Sequence, residues 1–248
     1  MSYDNLTITR EGGLAVVTLG RPDARNALNV ELISELRRAA LELHDDRDIS
    51  AVILTGDRNS FSAGADRKDA RIFAPADRTF LDHWKDTEAG SEVAKAWEAL
   101  PGMTIAAIEG FAIGGGFTLA MACDFRVMSE TAFIQIPEVP LGFNYGWNSI
   151  PRMVNLIGPA RTKRVVVMGE KVAAATALDW GLVDYLAPEG QALAEARALA
   201  ARCMAMPQLP VQFTKRAVNA LANQAQEASS HADMAQIVLC LEAVKAGQ

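Results

Sequence analysis

Cysteine, histidine, aromatic residues and long apolar runs are all scarce in this chain. Its 248 residues include three Cys (Cys123, Cys203 and Cys240) and three His. Three scattered thiols suit neither a disulfide framework nor a zinc site, so no metal is expected and a reducing, cytoplasmic setting is. The longest stretch without charge runs from Gly110 to Cys123, short of the ~18 residues that a membrane span needs. Positive charge is also in deficit. With 24 Lys and Arg against 30 Asp and Glu, the formal net charge is −6, which leaves no general basic surface for nucleic acid. Asp4, Arg10 and Glu11 enclose no apolar block, so the N-terminus does not read as a secretory signal and the mature chain is expected to start here. What remains is 50% hydrophobic and 22% charged, the balance of a globular protein with a full-sized core.

Short β-branched runs recur at Leu14–Leu19, Ala51–Thr55, Thr104–Ile108, Phe125–Met128 and Phe133–Ile136, each about strand length. Between the first two, Leu32, Ile33, Leu36, Ala40 and Leu43 repeat at helical spacing, opposite Glu31, Glu35, Arg38 and Glu42. That pattern predicts an amphipathic helix over Val30–Asp45 with Asn29 as N-cap. Strand, helix, strand in this order predicts an α/β class with parallel pairing. From Thr162 onward, Ala-rich helices are expected over Ala173–Trp180, Gln191–Met206 and Phe213–Leu241, divided by Gly181, Pro188 and the Pro207/Pro210 pair. No linker splits the chain. The segment Asp69–Leu100 is dense in charge yet carries Phe73, Phe80, Trp84 and Trp97. It is expected to be helical from about Ala76, either as a surface helix whose aromatics reach the core or as a mobile wall over a pocket.

Three segments could carry chemistry. Ile113-Gly114-Gly115-Gly116-Phe117 follows one strand and precedes a short apolar helix. A strand, a glycine loop and a helix N-terminus can present backbone N–H groups to a phosphate or a developing oxyanion. Leu119 stands where a dinucleotide-binding fingerprint would need glycine, which argues against NAD. The second segment, Phe61-Ser62-Ala63-Gly64-Ala65-Asp66, is again a small-residue loop after a strand. It suits either a helix start or a second set of N–H donors. In the third, Pro137 and Pro140 enclose Glu138 in a rigid turn. If apolar neighbours desolvate that carboxylate, its pKa should rise into the range of a general base; otherwise it is a solvated loop glutamate.

Taken together, RPDARNAL (Arg21 to Leu28), FSAGAD, AAIEGFAIGGGF, CDFRV and IPEVPLG, in this order, resemble the crotonase or enoyl-CoA hydratase/isomerase superfamily over nearly the whole chain. The resemblance implies a ββα spiral core over residues 1–190 carrying an acyl-CoA site, and a helical C-terminal oligomerisation region over 191–248. The assembly it implies is a homotrimer or a hexamer built as a dimer of trimers. Ala65 and Gly115 match the two residues whose N–H groups hold the thioester oxygen and stabilise an enolate. CoA would enter as part of the substrate, with no permanently bound cofactor.

Hydratases of this family use two glutamates, one just after the glycine loop and one in the Pro-Glu turn. Here Thr118 stands at the first position and Glu138 matches the second. A threonine hydroxyl can orient water but is a poor proton acceptor, so the pattern looks like an isomerase that shifts a 3-enoyl-CoA double bond to the 2-position. The alternatives are a single-glutamate hydratase in which Thr118 or Asn144 holds the water, and a degenerate acyl-CoA-binding scaffold. The resemblance further implies substrate contacts at Ala63, Asp66 and Phe117, and CoA contacts at Arg25, Lys68 and Lys215, the last reaching across a subunit boundary. Trp147, in a loop less glycine-rich than a hydratase's, is either core or pocket wall; as wall it would suit a short, cyclic or aromatic acyl group. The chain also ends sooner than typical members, at Glu242-Ala243-Val244-Lys245-Ala246-Gly247-Gln248, so a pocket or subunit contact is expected to be covered differently.

Overall fold

The computed structural model describes residues 2–73, 80–224 and 232–245. The chain opens with a hairpin: β1 (Leu6–Glu11) lies antiparallel to β2 (Leu14–Leu19). Four further strands add in parallel to β2, namely β3 (Ala51–Thr55), β4 (Met103–Ile108), β6 (Phe125–Ser129) and β9 (Tyr185–Ala187), so the sheet order is β1-β2-β3-β4-β6-β9. A smaller sheet, β5 (Phe111–Ile113), β7 (Phe133–Gln135) and β8 (Val172–Ala173), has the order β5-β7-β8. This is the expected α/β class. β1 was not anticipated, because only Leu6 on it is buried and its apolar alternation is diluted by exposed Thr and Arg.

The period-two geometry of the inner strands splits the core in two. Val52, Leu54, Ala106, Ile108 and Met128 join the main cluster with α1 (Val30–Asp45) and α4 (Gly115–Met121). Ala51, Ile53, Ile105, Ala107 and Val127 face the other way, onto Ala192, Ala196, Leu199 and Ala200 of α7 (Ala192–Met204). Thus α7, which the sequence groups with the C-terminal helices, forms the second layer of the main sheet. α1 occupies the expected residues, and Asn29 caps it by accepting from the Leu32 N–H at 3.0 Å.

Beyond the strands, the structure revises three expectations. A helix α5 (Ser149–Met168) precedes α6 (Ala174–Trp180), hidden from periodicity by a break at Gly158 (φ 74°, ψ 170°) before Pro159. The long helix expected over Phe213–Leu241 is two elements, α8 (Gln208–Ala222) and α9 (Asp233–Lys245), with residues 225–231 outside the described part. Pro210 does not divide helices, since it sits in the first turn of α8, where its missing N–H leaves no intrahelical bond unmade. In the charge-dense segment, α2 (Ala70–Phe73) and α3 (Phe80–Glu98) flank residues 74–79, which lie outside the described residues, as do the side chains of Phe73, Phe80 and Trp84. Trp97 is core: it is fully buried and its indole N–H donates to the Leu36 carbonyl at 3.2 Å. Among the described residues, no helix is long and apolar enough to cross a membrane.

Candidate active site

Two small-residue loops are stitched together where the main sheet meets the small one. Ser62 bridges to Ala112, the Ile113 N–H donates to the Ser62 carbonyl at 3.0 Å, and the Ser62 hydroxyl donates to the Asn26 carbonyl at 2.8 Å. Side chains are sterically excluded at the contact. A Cβ on Gly116 would lie 2.7 Å from that of Ser62, and one on Gly64 (φ +81°) only 2.6 Å from the Ile113 carbonyl oxygen. Leu28 donates its N–H to the Gly64 carbonyl and accepts the Asp66 N–H, skipping the residue between them. This leaves the Ala65 N–H without a hydrogen-bond partner among the described residues, and the Gly115 N–H has none either. Gly115 opens α4, so its free N–H carries the partial positive charge of a helix start.

Glu138 stands beside this pair. A Cβ on Gly114 would come within 2.2 Å of its Oε1, which places the carboxylate against the residue preceding the Gly115 donor. The turn holding it is closed from within, because Leu141 and Phe143 both donate their N–H groups to the Glu138 carbonyl, at 3.1 and 3.0 Å. Its Oε2 is buried without a hydrogen-bond partner among the described residues. Burial pushes the Glu138 carboxyl up to about 7, opposed only by its own backbone N–H.

Thr118 is fully buried, and its hydroxyl is committed elsewhere. It lies 2.7 Å from the Ser149 Oγ and 3.0 Å from the Tyr145 Oη, while Tyr145 donates to the Gly114 carbonyl at 3.2 Å. Three hydroxyls therefore cluster at the position where the resemblance implies a second glutamate in hydratases. Burial, followed by the nearby Glu138 charge, pushes the Tyr145 phenol well above its ordinary value. Asn144 does not hold water here through its amide nitrogen, which reaches Gln236 of α9 at 3.2 Å.

A cavity of about 770 Å³ opens next to Ala65, lined by Arg21, Arg25, Ala63, Asp66, Lys68 and Arg71 among others. Several of its charges are already paired. Arg21 meets Asp66 at 3.0 Å, and Arg71 binds both Glu31 and Asp69, holding the Asp69 carboxyl down at about 2. Arg25, Lys68 and the neighbouring Arg67 are exposed and have no ion-pair partner among the described residues, which makes them available to an anion.

Two expected contacts lie elsewhere. Lys215 is buried, donates to the Gly102 carbonyl at 2.8 Å and pairs with Asp124 at 2.7 Å, because an ammonium removed from water must be matched by charge and acceptors. Phe117 is fully buried in the main core cluster. The sequence reading missed Tyr145, Ser149 and Arg67. For Arg67 the signal was its adjacency to Lys68; for the two hydroxyls only the folded loop reveals the cluster. Among the described residues no His/Cys/Asp/Glu group could hold a metal.

Comparison with known proteins agrees with this geometry. Residues 9–242 match the family model described as enoyl-CoA hydratase/isomerase. A probable enoyl-CoA hydratase of Mycobacterium tuberculosis is 37% identical over 222 residues, covering 88% of this chain and 82% of its own. A crotonyl-CoA hydratase of Syntrophomonas wolfei is 34% identical over 220 residues, covering 88% and 83%. The crystal structure of an enoyl-CoA hydratase/isomerase from Mycobacterium paratuberculosis superposes with a TM-score of 0.88 at 26% identity, over 96% of this chain and 93% of that one.

Proposed function

The chain belongs to the enoyl-CoA hydratase/isomerase family, and from that premise we propose that this enzyme shifts the double bond of a 3-enoyl-CoA thioester to the 2-position. Glu138, the carboxylate that desolvation raises beside the glycine loop, carries the proton. The observation behind this reading is the replacement of a second carboxylate by the Thr118, Tyr145 and Ser149 hydroxyls beside Glu138, whose Oε2 has no hydrogen-bond partner among the described residues. The thioester carbonyl oxygen would accept from the Ala65 and Gly115 N–H groups, which raises the acidity of C2. Glu138 removes the C2 proton, the electron pair delocalises through the enolate toward C4, and the same carboxylic acid returns the proton at C4. No water and no redox partner is consumed. The CoA phosphates would lie against Arg25, Arg67 and Lys68, with CoA present only as part of the substrate.

A second reading rests on the relatives' names, which are hydratases. In it, Glu138 takes a proton from water as the oxygen attacks C3 of a 2-enoyl-CoA and delivers that proton to C2. The geometry favours it less at Thr118, whose hydroxyl is already engaged, while the Asn144 Oδ1 is buried without a hydrogen-bond partner among the described residues. A scaffold without catalysis would have little reason to keep a desolvated, unpaired carboxylate, whose burial opposes folding at neutral pH.

Supplying 3-enoyl-CoA and 2-enoyl-CoA separately and resolving products by chromatography decides between these readings. Conversion of the first to 2-enoyl-CoA, with no hydroxyacyl product from the second, is expected. Glu138→Gln should lower turnover at least ~100-fold. Rapid hydration of 2-enoyl-CoA without isomerisation would select the second reading, and full turnover by Glu138→Gln would remove Glu138 from the mechanism.

A further inference from the structure

The Gly115 N–H belongs to the peptide unit that joins Gly114 to Gly115, and a trans peptide sets its C=O and N–H in opposite directions. Whatever holds the Gly114 carbonyl therefore aims the Gly115 donor. No side chain of its own restrains this unit, because glycine flanks it on both sides and Gly114 (φ 48°, ψ −122°) sits where other residues are strained. The restraint comes from outside. The Gly114 carbonyl accepts from the Thr118 N–H at 3.1 Å, in the first turn of α4, and from the Tyr145 hydroxyl at 3.2 Å, so both of its lone pairs are used. We propose that Tyr145 is a positioning residue: by donating to the Gly114 carbonyl it aims and polarises this peptide, so that the Gly115 N–H meets the thioester oxygen as a stronger donor. The inference rests on the acyl-CoA reading of the site and adds a residue to it.

The protons of the hydroxyl cluster run one way. A carbonyl only accepts, so Tyr145 must give its one proton to Gly114; its Oη is then left to accept from Thr118 at 3.0 Å, and Thr118 to accept from Ser149 at 2.7 Å. The direct approach of the Thr118 Oγ1 to the Gly114 oxygen, at 3.5 Å, is too long to compete. All three residues are buried. In such a setting a row of hydrogen bonds pointing in one direction strengthens its members, and the last member here is the bond to the Gly114 carbonyl. Burial also keeps the Tyr145 phenol protonated, by raising it well above its ordinary value, so the donor persists across the range in which Glu138 titrates. Trp147, which belongs to the main core cluster, completes the seat: a Cβ on Gly115 would lie 2.5 Å from its indole, and one on Gly90 of α3 only 2.0 Å from it. The indole thus covers the Gly115 Cα while Tyr145, from the same loop, holds the carbonyl.

Removing only the hydroxyl, as in Tyr145→Phe, tests this. Wild type and variant would each bind a saturated acyl-CoA isotope-labelled at its thioester carbonyl, whose stretching frequency is read by difference infrared spectroscopy, and kcat and KM would be measured on 3-enoyl-CoA. Bound to the wild type, the carbonyl should vibrate at lower frequency than in free solution, and Tyr145→Phe should return it part of the way. Turnover should fall ~10-fold, a fraction of the ~100-fold or more that losing an oxyanion donor outright costs. KM should change less than ~2-fold, because a polarised donor matters most as charge develops on the oxygen. A merely structural role would lower thermal stability and leave the frequency where it is; that result, or an unchanged kcat, would overturn the proposal. Should Tyr145→Phe fail to fold, Thr118→Val cuts the row one step earlier and should move the frequency in the same direction by less, and no movement would again count against it. A Tyr145-dependent frequency shift in a protein that turns over no enoyl thioester would keep the positioning role while rejecting the isomerase reading. No shift in the wild type would reject the assigned donors and this role with them.

Discussion

Glu138 is asked to do two things that oppose each other. It must be ionised to take a proton, and it must be buried beside Gly114 to reach the substrate. Desolvation raises its carboxyl to about 7, so as a base it should make kcat/KM climb with pH across that value and level off above it. The same shift is linked to stability. Because the folded carboxyl binds its proton more tightly than the unfolded one, the stabilising contribution is complete below the unfolded pKa of roughly 4.5 and is lost as pH rises through about 7. Glu138→Gln should therefore raise stability at about pH 8 by up to ~3 kcal/mol and leave it little changed at about pH 4. Thermal melts of both proteins at the two pH values check this; an equal shift at both would mean that Glu138 is not titrating inside the fold. At this scale the sequence was legible where backbone chemistry is written in residue type. Gly114, Gly115, Ala65 and Glu138 could be singled out, because small residues and prolines limit what a loop can do. The Thr118, Tyr145 and Ser149 cluster could not be, since it depends on side chains 27 and 31 residues apart meeting in space. Gly90 was equally silent: it reads as an ordinary helix glycine until the indole is seen against it.

The post-turn loop, residues 142–148, is shaped by an element far along the chain. α9 lies across it, with Ile237 against Gly146, Val244 against Gly142, Gln236 bonded to Asn144 and Asp233 bonded to the Asn148 N–H. A Cβ on Gly146 would fall 2.5 Å from the Ile237 Cδ1, so the contact needs both residues as they are. Shortening Ile237 to Ala removes the apolar part of this clamp. It should cost roughly 2–4 kcal/mol, concentrated in local opening of the loop rather than in the sheet, which α9 does not cover. Hydrogen exchange should accordingly speed up at 142–149 and stay slow in β3 and β4, with turnover reduced; unchanged protection of the loop would show that α9 does not hold it. Helix α1 was predictable to its ends because Asn29 and an uninterrupted apolar stripe are local signals. α5 and the division between α8 and α9 were not, because Gly158–Pro159 interrupts one pattern and similar alanine-rich composition blurs the other.

Over the whole molecule, α8 is turned in an unusual sense. Its buried residue is the charged Lys215, held by Asp124 and the Gly102 carbonyl, whereas Leu209, Phe213, Val218 and Leu221 are 57–70% exposed. An amphipathic helix ordinarily buries its apolar side. Alongside α8, an apolar cavity of about 670 Å³ opens between Met121–Arg126 and Met206–Val218, adding Val211 and Pro210 to the same surface. A contiguous apolar face of this kind is a contact site rather than a solvated one, and we propose that another copy of the chain covers it within a closed trimer. In that assembly the Lys215–Asp124 pair fixes the orientation of α8 and so determines which residues it presents. The heterologous contacts of a three-fold ring would place α8 against a different surface on its neighbour. Phe213→Glu combined with Leu221→Glu would place two carboxylates in such an interface without touching the sheet or Glu138. Light scattering coupled to gel filtration should then show trimer for the wild type and monomer for the variant, while circular dichroism of the two remains alike. A monomeric wild type, or a variant that still assembles, would mean that this apolar face serves something other than self-association.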